Sequence, residues 1–98
     1  MNEDMKKQAA FNSQCRGHIM RILAQFHPMP ITIKQIKIGL EEYGVNYKAD
    51  VDGLLSYLKD RKYIVIGTVE RTLEQSVRLH ANGVDIMEGR VEDDAVLV

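Results

Sequence analysis

The stretch Tyr47–Tyr63, YKADVDGLLSYLKDRKY, limits what this chain can become more than any other. Val51, Leu54, Leu55 and Leu58 recur at i, i+3, i+4 and i+7, which draws one apolar stripe along a helix expected over 47–61. Immediately after Lys62 the pattern changes, because Tyr63–Val69, YIVIGTV, is dense in β-branched and aromatic residues and reads as a strand. A helix that short holds together in water only by burying its stripe against other elements. The rest of the chain must therefore supply helices to pack on it and a second strand to pair with the one at 63–69.

Both are present. Phe11, Cys15, His18, Ile19, Ile22, Leu23 and Phe26 keep a helical period, so a long first helix is expected to run from about residue 8 to Phe26. Gly17 inside it costs about 1 kcal/mol relative to Ala unless something packs closely there. His27-Pro28-Met29-Pro30 ends it, since proline has no amide hydrogen and disfavours a helical residue before it. Pro30-Ile31 is expected to form a very short extended piece at a sheet edge. Thr32 and Gln35 then form a capping box for a second helix with Ile33, Ile36, Leu40 and Tyr43 inward, and Gly44 suits the position just beyond its end. Gly44-Val45-Asn46 is the expected connector, with Val45 plugging the core and Asn46 capping the third helix.

Past the strand at 63–69, Glu70–Glu74 reads as a hairpin loop and Gln75–His80 as its return strand, with Val77 and Leu79 inward. Asn82-Gly83 opens a short last helix through Met87, ended by Gly89. The chain divides into a flexible N-terminus at 1–7, one domain over 8–89 and a tail at 90–98 that is acidic and then apolar. The tail reads equally as disordered, as an added strand or as an arm for a partner.

Charge narrows the function. The formal net charge is −1, yet residues 1–80 carry twelve Lys/Arg against nine Asp/Glu, and residues 81–98 carry one against five. The body is thus weakly basic at +3 and the end acidic at −4, a smaller basic excess than nucleic-acid binders often show. Cys15 is the single cysteine, so no intrachain disulfide forms; a buried small hydrophobe is the expected role, and a reducing, cytoplasmic setting the expected place. No signal peptide and no run of eighteen apolar residues occurs, so no membrane partner is expected.

No enzymatic activity, catalytic residue, cofactor or metal is expected. His18, His27 and His80 lie far apart, and Cys15 with His18 falls short of the four ligands that zinc takes. His18 reads as a core histidine. Glu41-Glu42 and Asp93-Asp94 are adjacent pairs on solvated faces, and no phosphate-cradling loop or nucleophile–base set is present.

Three helices followed by a hairpin is the winged-helix order, and particular residues extend the likeness. Leu54–Ile66, LLSYLKDRKYIVI, resembles bacterial winged-helix regulators of the ArsR and MarR kind, where a leucine-rich helix ends in a charged turn and enters the first wing strand. Val77–Gly89, VRLHANGVDIMEG, is similar to their second wing strand and closing helix, where Leu-Thr-x-x-Gly is common; His80 stands in place of the threonine. Lys62 stands where a glycine is usual, so a wider turn is expected before Tyr63. The small size and acidic end also resemble the little winged-helix proteins carried by Mu-like phages.

The resemblance implies an α+β fold: a winged helix-turn-helix with a three-helix core, a two-stranded β-hairpin wing and a short C-terminal helix. It also implies a DNA-binding transcriptional regulator, prokaryotic or phage, forming a homodimer through its first helix and the Val84–Met87 segment. Lys48, Asp52, Ser56 and Lys59 lie off the apolar stripe of the third helix; the first three would face the major groove, and Lys59 adds charge at the helix end with Arg61 and Lys62. Lys34 and Lys37 would clamp the phosphate backbone and Arg71 at the wing tip would reach the flanking groove. Asp50 and Asp52 oppose this reading, because they favour the helix N-terminus but repel phosphates. The competing expectation is a protein-interaction or assembly module, such as a phage accessory protein.

Overall fold

In the computed structural model, which describes residues 3–45 and 49–98, the order is α1 (Glu3–Phe26), β1 (Ile31–Thr32), α2 (Ile33–Glu42), α3 (Val51–Asp60), β2 (Ile64–Thr68), β3 (Gln75–Leu79) and α4 (Ala81–Met87). This is an α+β winged helix-turn-helix. The three strands form one antiparallel sheet in the order β1-β3-β2. β2 and β3 pair from Ile64↔Leu79 to Thr68↔Gln75, and β1 adds Ile31↔Val77 and Thr32↔Ser76 on the other edge of β3. Every element gives its apolar side to one core: Ile19, Met20 and Leu23 from α1, Ile36 and Leu40 from α2, Leu55 and Leu58 from α3, Val77 and Leu79 from β3, and Ile86 from α4. Val45 packs partly against it, as expected of the connector.

Two helices start elsewhere than their residues suggest. α1 starts at Glu3 rather than after Lys7, because Glu3 and Asp4 in the first turn favour its N-terminus and the Gln8–Asn12 and Ser13–Ala9 side-chain hydrogen bonds tie successive turns. α3 starts at Val51, with Asp50 as its N-cap accepting from the Gly53 amide at 3.1 Å. Asn46, expected in that role, lies outside the described residues, as do Tyr47 and Lys48. Gly53 leaves room for the Asp50 carboxylate, whose Oδ2 would have to shift if a Cβ stood there. α2 carries the expected capping box, with the Gln35 amide donating to Thr32 Oγ1 at 3.2 Å and the Thr32 amide donating to Gln35 Oε1 at 2.8 Å. Tyr43 is exposed rather than inward and stacks on His18, ring centroids 4.4 Å apart.

The turn into the wing is not widened by Lys62. Lys62 takes φ 63°, and its amide donates to Lys59 O while the Tyr63 amide donates to Leu58 O. That pair of bonds is the tight glycine-type helix ending, built here on a lysine. Gly44 and Gly89, both at φ 77°, end α2 and α4 in the same way. His80, in the threonine's place, caps α4: its backbone is extended and Nδ1 accepts from the Asn82 amide at 3.4 Å. Gly83 is obligatory for close packing, because a Cβ there would overlap Tyr63 O.

The C-terminal segment folds back on α1. Val96 is 2% exposed in the core, the Leu97 amide donates to Ser13 O, and Arg16 and Arg21 donate to the carbonyls of Ala95 and Leu97. Gly17 permits the crossing, for a Cβ on it would occupy the place of Leu97 O. Among the described residues no helix is long and apolar enough to cross a membrane.

Candidate nucleic-acid interface

α3 presents three faces with different partners. Leu54, Leu55 and Leu58 are buried in the core. Tyr57 and Arg61 turn toward α1 and the C-terminal segment: the Arg16 guanidinium lies 3.7 Å from the Tyr57 ring centroid, and Arg61 Nε donates to Tyr57 Oη at 3.1 Å. Arg61 also pairs with Asp93 at 3.5 Å, and Asp93 accepts a hydrogen bond from the Tyr63 hydroxyl. The remaining face, Asp52, Gly53, Ser56, Lys59 and Asp60, is exposed. Asp52, Ser56 and Lys59 stand at i, i+4 and i+7, so the helix does bring these three onto one side.

Around that face, Lys34 and Lys37 are exposed and three residues apart in the first turns of α2. Arg71 is exposed in the loop between β2 and β3. Lys48 lies outside the described residues. Arg61, expected as free positive charge beside Lys59 and Lys62, has its guanidinium engaged by Tyr57 and Asp93. Asp60, absent from the expected site, shares the exposed face. Within the described residues that face therefore carries Asp52 and Asp60 against Lys59. Asp50, expected as a second opposing charge, has its carboxylate turned to the α3 N-terminus, where it is stabilised by the helix amides.

Leu73 has no place among the expected site residues. The loop is closed by the Val69 amide donating to Glu74 O and the Leu73 amide donating to Val69 O, both at 2.8 Å, and Leu73 takes φ 59° with 77% exposure. A leucine in the left-handed region costs about 1–2 kcal/mol. Only its position in a hairpin loop, one residue before Glu74, could have signalled an outward apolar side chain.

Titratable groups here serve structure. Burial first, then the hydrogen bond to Asp93, pushes the Tyr63 hydroxyl up to about 12. Donation from Tyr63, outweighing burial, holds Asp93 below its ordinary value, with the Ala95 amide and Arg61 assisting. Burial, with Arg21 beside it, lowers His18; its Nδ1 lies against Arg21 Nη2 and its ring on Tyr43, so it is a half-buried packing group rather than a core one. Cys15 is buried and its thiol is pushed up by that burial. Among the described residues no group of three His, Cys, Asp or Glu could hold a metal ion.

The helix order, the paired wing strands and the exposed face of the third helix define a winged helix-turn-helix protein. A solved structure of a mutant of S. aureus MepR, bound to an oligodeoxyribonucleotide, shares this fold with a TM-score of 0.66 and 21% identity. The likeness covers 87% of this chain and 64% of that one, so this chain spans less than two thirds of the MepR chain's length. No protein-family model and no curated protein matches the sequence.

Proposed function

We propose that the chain is a DNA-binding winged-helix protein, a small prokaryotic or phage transcriptional regulator that holds duplex DNA with α3 and the wing. The observation that carries this reading is the fold shared with a protein solved on an oligodeoxyribonucleotide. The surface is consistent with it: Lys34 and Lys37 for one phosphate run, Ser56 toward the groove, Lys59 as positive charge at the helix end, Arg71 for the flanking backbone or minor groove. Asp52 can accept from a cytosine amino group, but both Asp52 and Asp60 repel phosphates. Base readout by α3 is thus thin, and affinity rests on phosphate contacts at its margins. Replacing Lys34, Lys37 and Arg71 together by Glu is expected to abolish a mobility shift that the wild type gives at low salt. If the triple variant shifts DNA as the wild type does, the assigned surface is wrong.

A homodimer is part of this proposal. The middle of α1 lies under the C-terminal segment, and Ile86 of the expected α4 contact is buried in the chain's own core. Self-association therefore falls to the exposed first turns of α1, Glu3–Ala10.

One observation favours the interaction-module reading. A groove of about 410 Å³ between α1 and α2 is lined by Ile22, Phe26, Ile38 and Tyr43, three of them exposed. Recovery of one protein by the wild type but not by Ile38→Asp, with no DNA shift by either, would select it.

A further inference from the structure

The hairpin loop holds a leucine where a small or polar residue would be cheaper. Leu73 is the most exposed large hydrophobic residue described, at 77%, and its backbone is in the left-handed region. Two hydrogen bonds across the loop fix that conformation, and the Glu74 amide donates to Thr72 Oγ1 beside it. No core residue gains from this placement, since Leu73 belongs neither to the core nor to the partly buried residues packed on it. A strained, outward, well-braced apolar side chain on a functional surface directs attention to what it meets outside the chain.

Resting on the DNA-binding reading, we infer that Leu73 is an apolar wedge that enters the minor groove and parts a base step, with Arg71 two residues away on the backbone. Apolar side chains used this way unstack a step and kink the duplex toward the major groove, and an arginine two residues away is placed to hold a flanking phosphate. A wedge also supplies what α3 lacks. With Asp52 and Asp60 on its exposed face, α3 has few donors for base edges, whereas a wedge reads sequence through the ease of deforming it. Pyrimidine–purine steps, the easiest to kink, are the expected targets. Glu70 and Glu74 beside Arg71 keep the wing from gripping phosphates indiscriminately, so the leucine rather than charge sets where it seats.

The test uses a duplex selected by the full-length wild type from a random pool, with 2-aminopurine placed at successive steps and a dye pair at the ends. Wild type is expected to raise 2-aminopurine emission at one pyrimidine–purine step and to bend the duplex. Leu73→Ala should lose both signals and bind about tenfold more weakly with an unchanged salt slope, because no phosphate contact is removed. Arg71→Ala should instead shallow the salt slope by about one. Leu73→Gly should also lose the wedge while melting no lower than wild type, which separates the contact from any folding defect. If Leu73→Ala binds and bends the duplex like wild type, the wedge is wrong while DNA binding stands. If the wild type selects no duplex at all, the DNA-binding reading falls and takes the wedge with it.

Discussion

Lys62 sits at φ 63° in a helix ending that glycine makes at no steric cost. Lys62→Gly should therefore raise stability by about 0.5–1 kcal/mol, the relief of strain exceeding the entropy glycine adds to the unfolded chain, and a thermal melt reads it directly. Gly17 predicts the opposite sign. An Ala in a helix interior ordinarily gains about 1 kcal/mol over Gly. Here its Cβ would run into the Leu97 carbonyl, so Gly17→Ala should instead lose about 1–3 kcal/mol. Made in a chain ending at Asp94, the same substitution should become stabilising, because the obstructing carbonyl is gone. Both residues show how far the sequence alone is legible: Gly17 is visible as an anomaly inside a helical period, but the segment that demands it is at the other end of the chain. Lys62 is visible as a departure from a glycine pattern, yet nothing local distinguishes a wider turn from a strained tight one.

Periodicity exposed the elements well, and contacts between them poorly. The stripe of α2 as far as Leu40, the stripe of α3, the capping box at Thr32 and the alternation of β3 are local, and each is where the residues place it, whereas Tyr43 turns out to His18. The seat of the C-terminal segment is not local: it depends on Asp93 meeting Tyr63 and Arg61, and on Val96 finding room under α1. The same long-range contact sets a carboxylate beside Arg61, which counting lysines and arginines cannot reveal. That joint is testable by pH. Asp93 is held below its ordinary value in the folded state, so its contribution is present above the ordinary carboxylate range and is lost as pH falls through the depressed value. Tyr63 is raised to about 12, so the contribution of its protonated hydroxyl is whole below the ordinary tyrosine range and lost as pH rises through that value. Asp93→Asn should cost about 1–2 kcal/mol at neutral pH and flatten the acid limb of the stability profile measured by urea unfolding.

For the molecule as a whole, the weakly basic body and acidic end mean that DNA binding, where it occurs, draws on a few exposed cations. Asp60→Asn should tighten binding several-fold, because it removes a like charge from the exposed face of α3 without touching the core. Self-association through the first turns of α1 should appear as a dimer in sedimentation that Lys7→Glu with Ala10→Glu weakens; a wild type that stays monomeric at high micromolar concentration contradicts it. The central claim is that this winged helix binds duplex DNA by phosphate neutralisation from Lys34, Lys37, Lys59 and Arg71. The most direct measurement is fluorescence anisotropy of a labelled duplex against the wild-type protein across a salt series. The account predicts a linear fall of log affinity with log salt at about −0.9 per neutralised phosphate, hence a slope of about −3.6 for these four cations. Absence of binding at the lowest salt, or an affinity indifferent to salt, would contradict it.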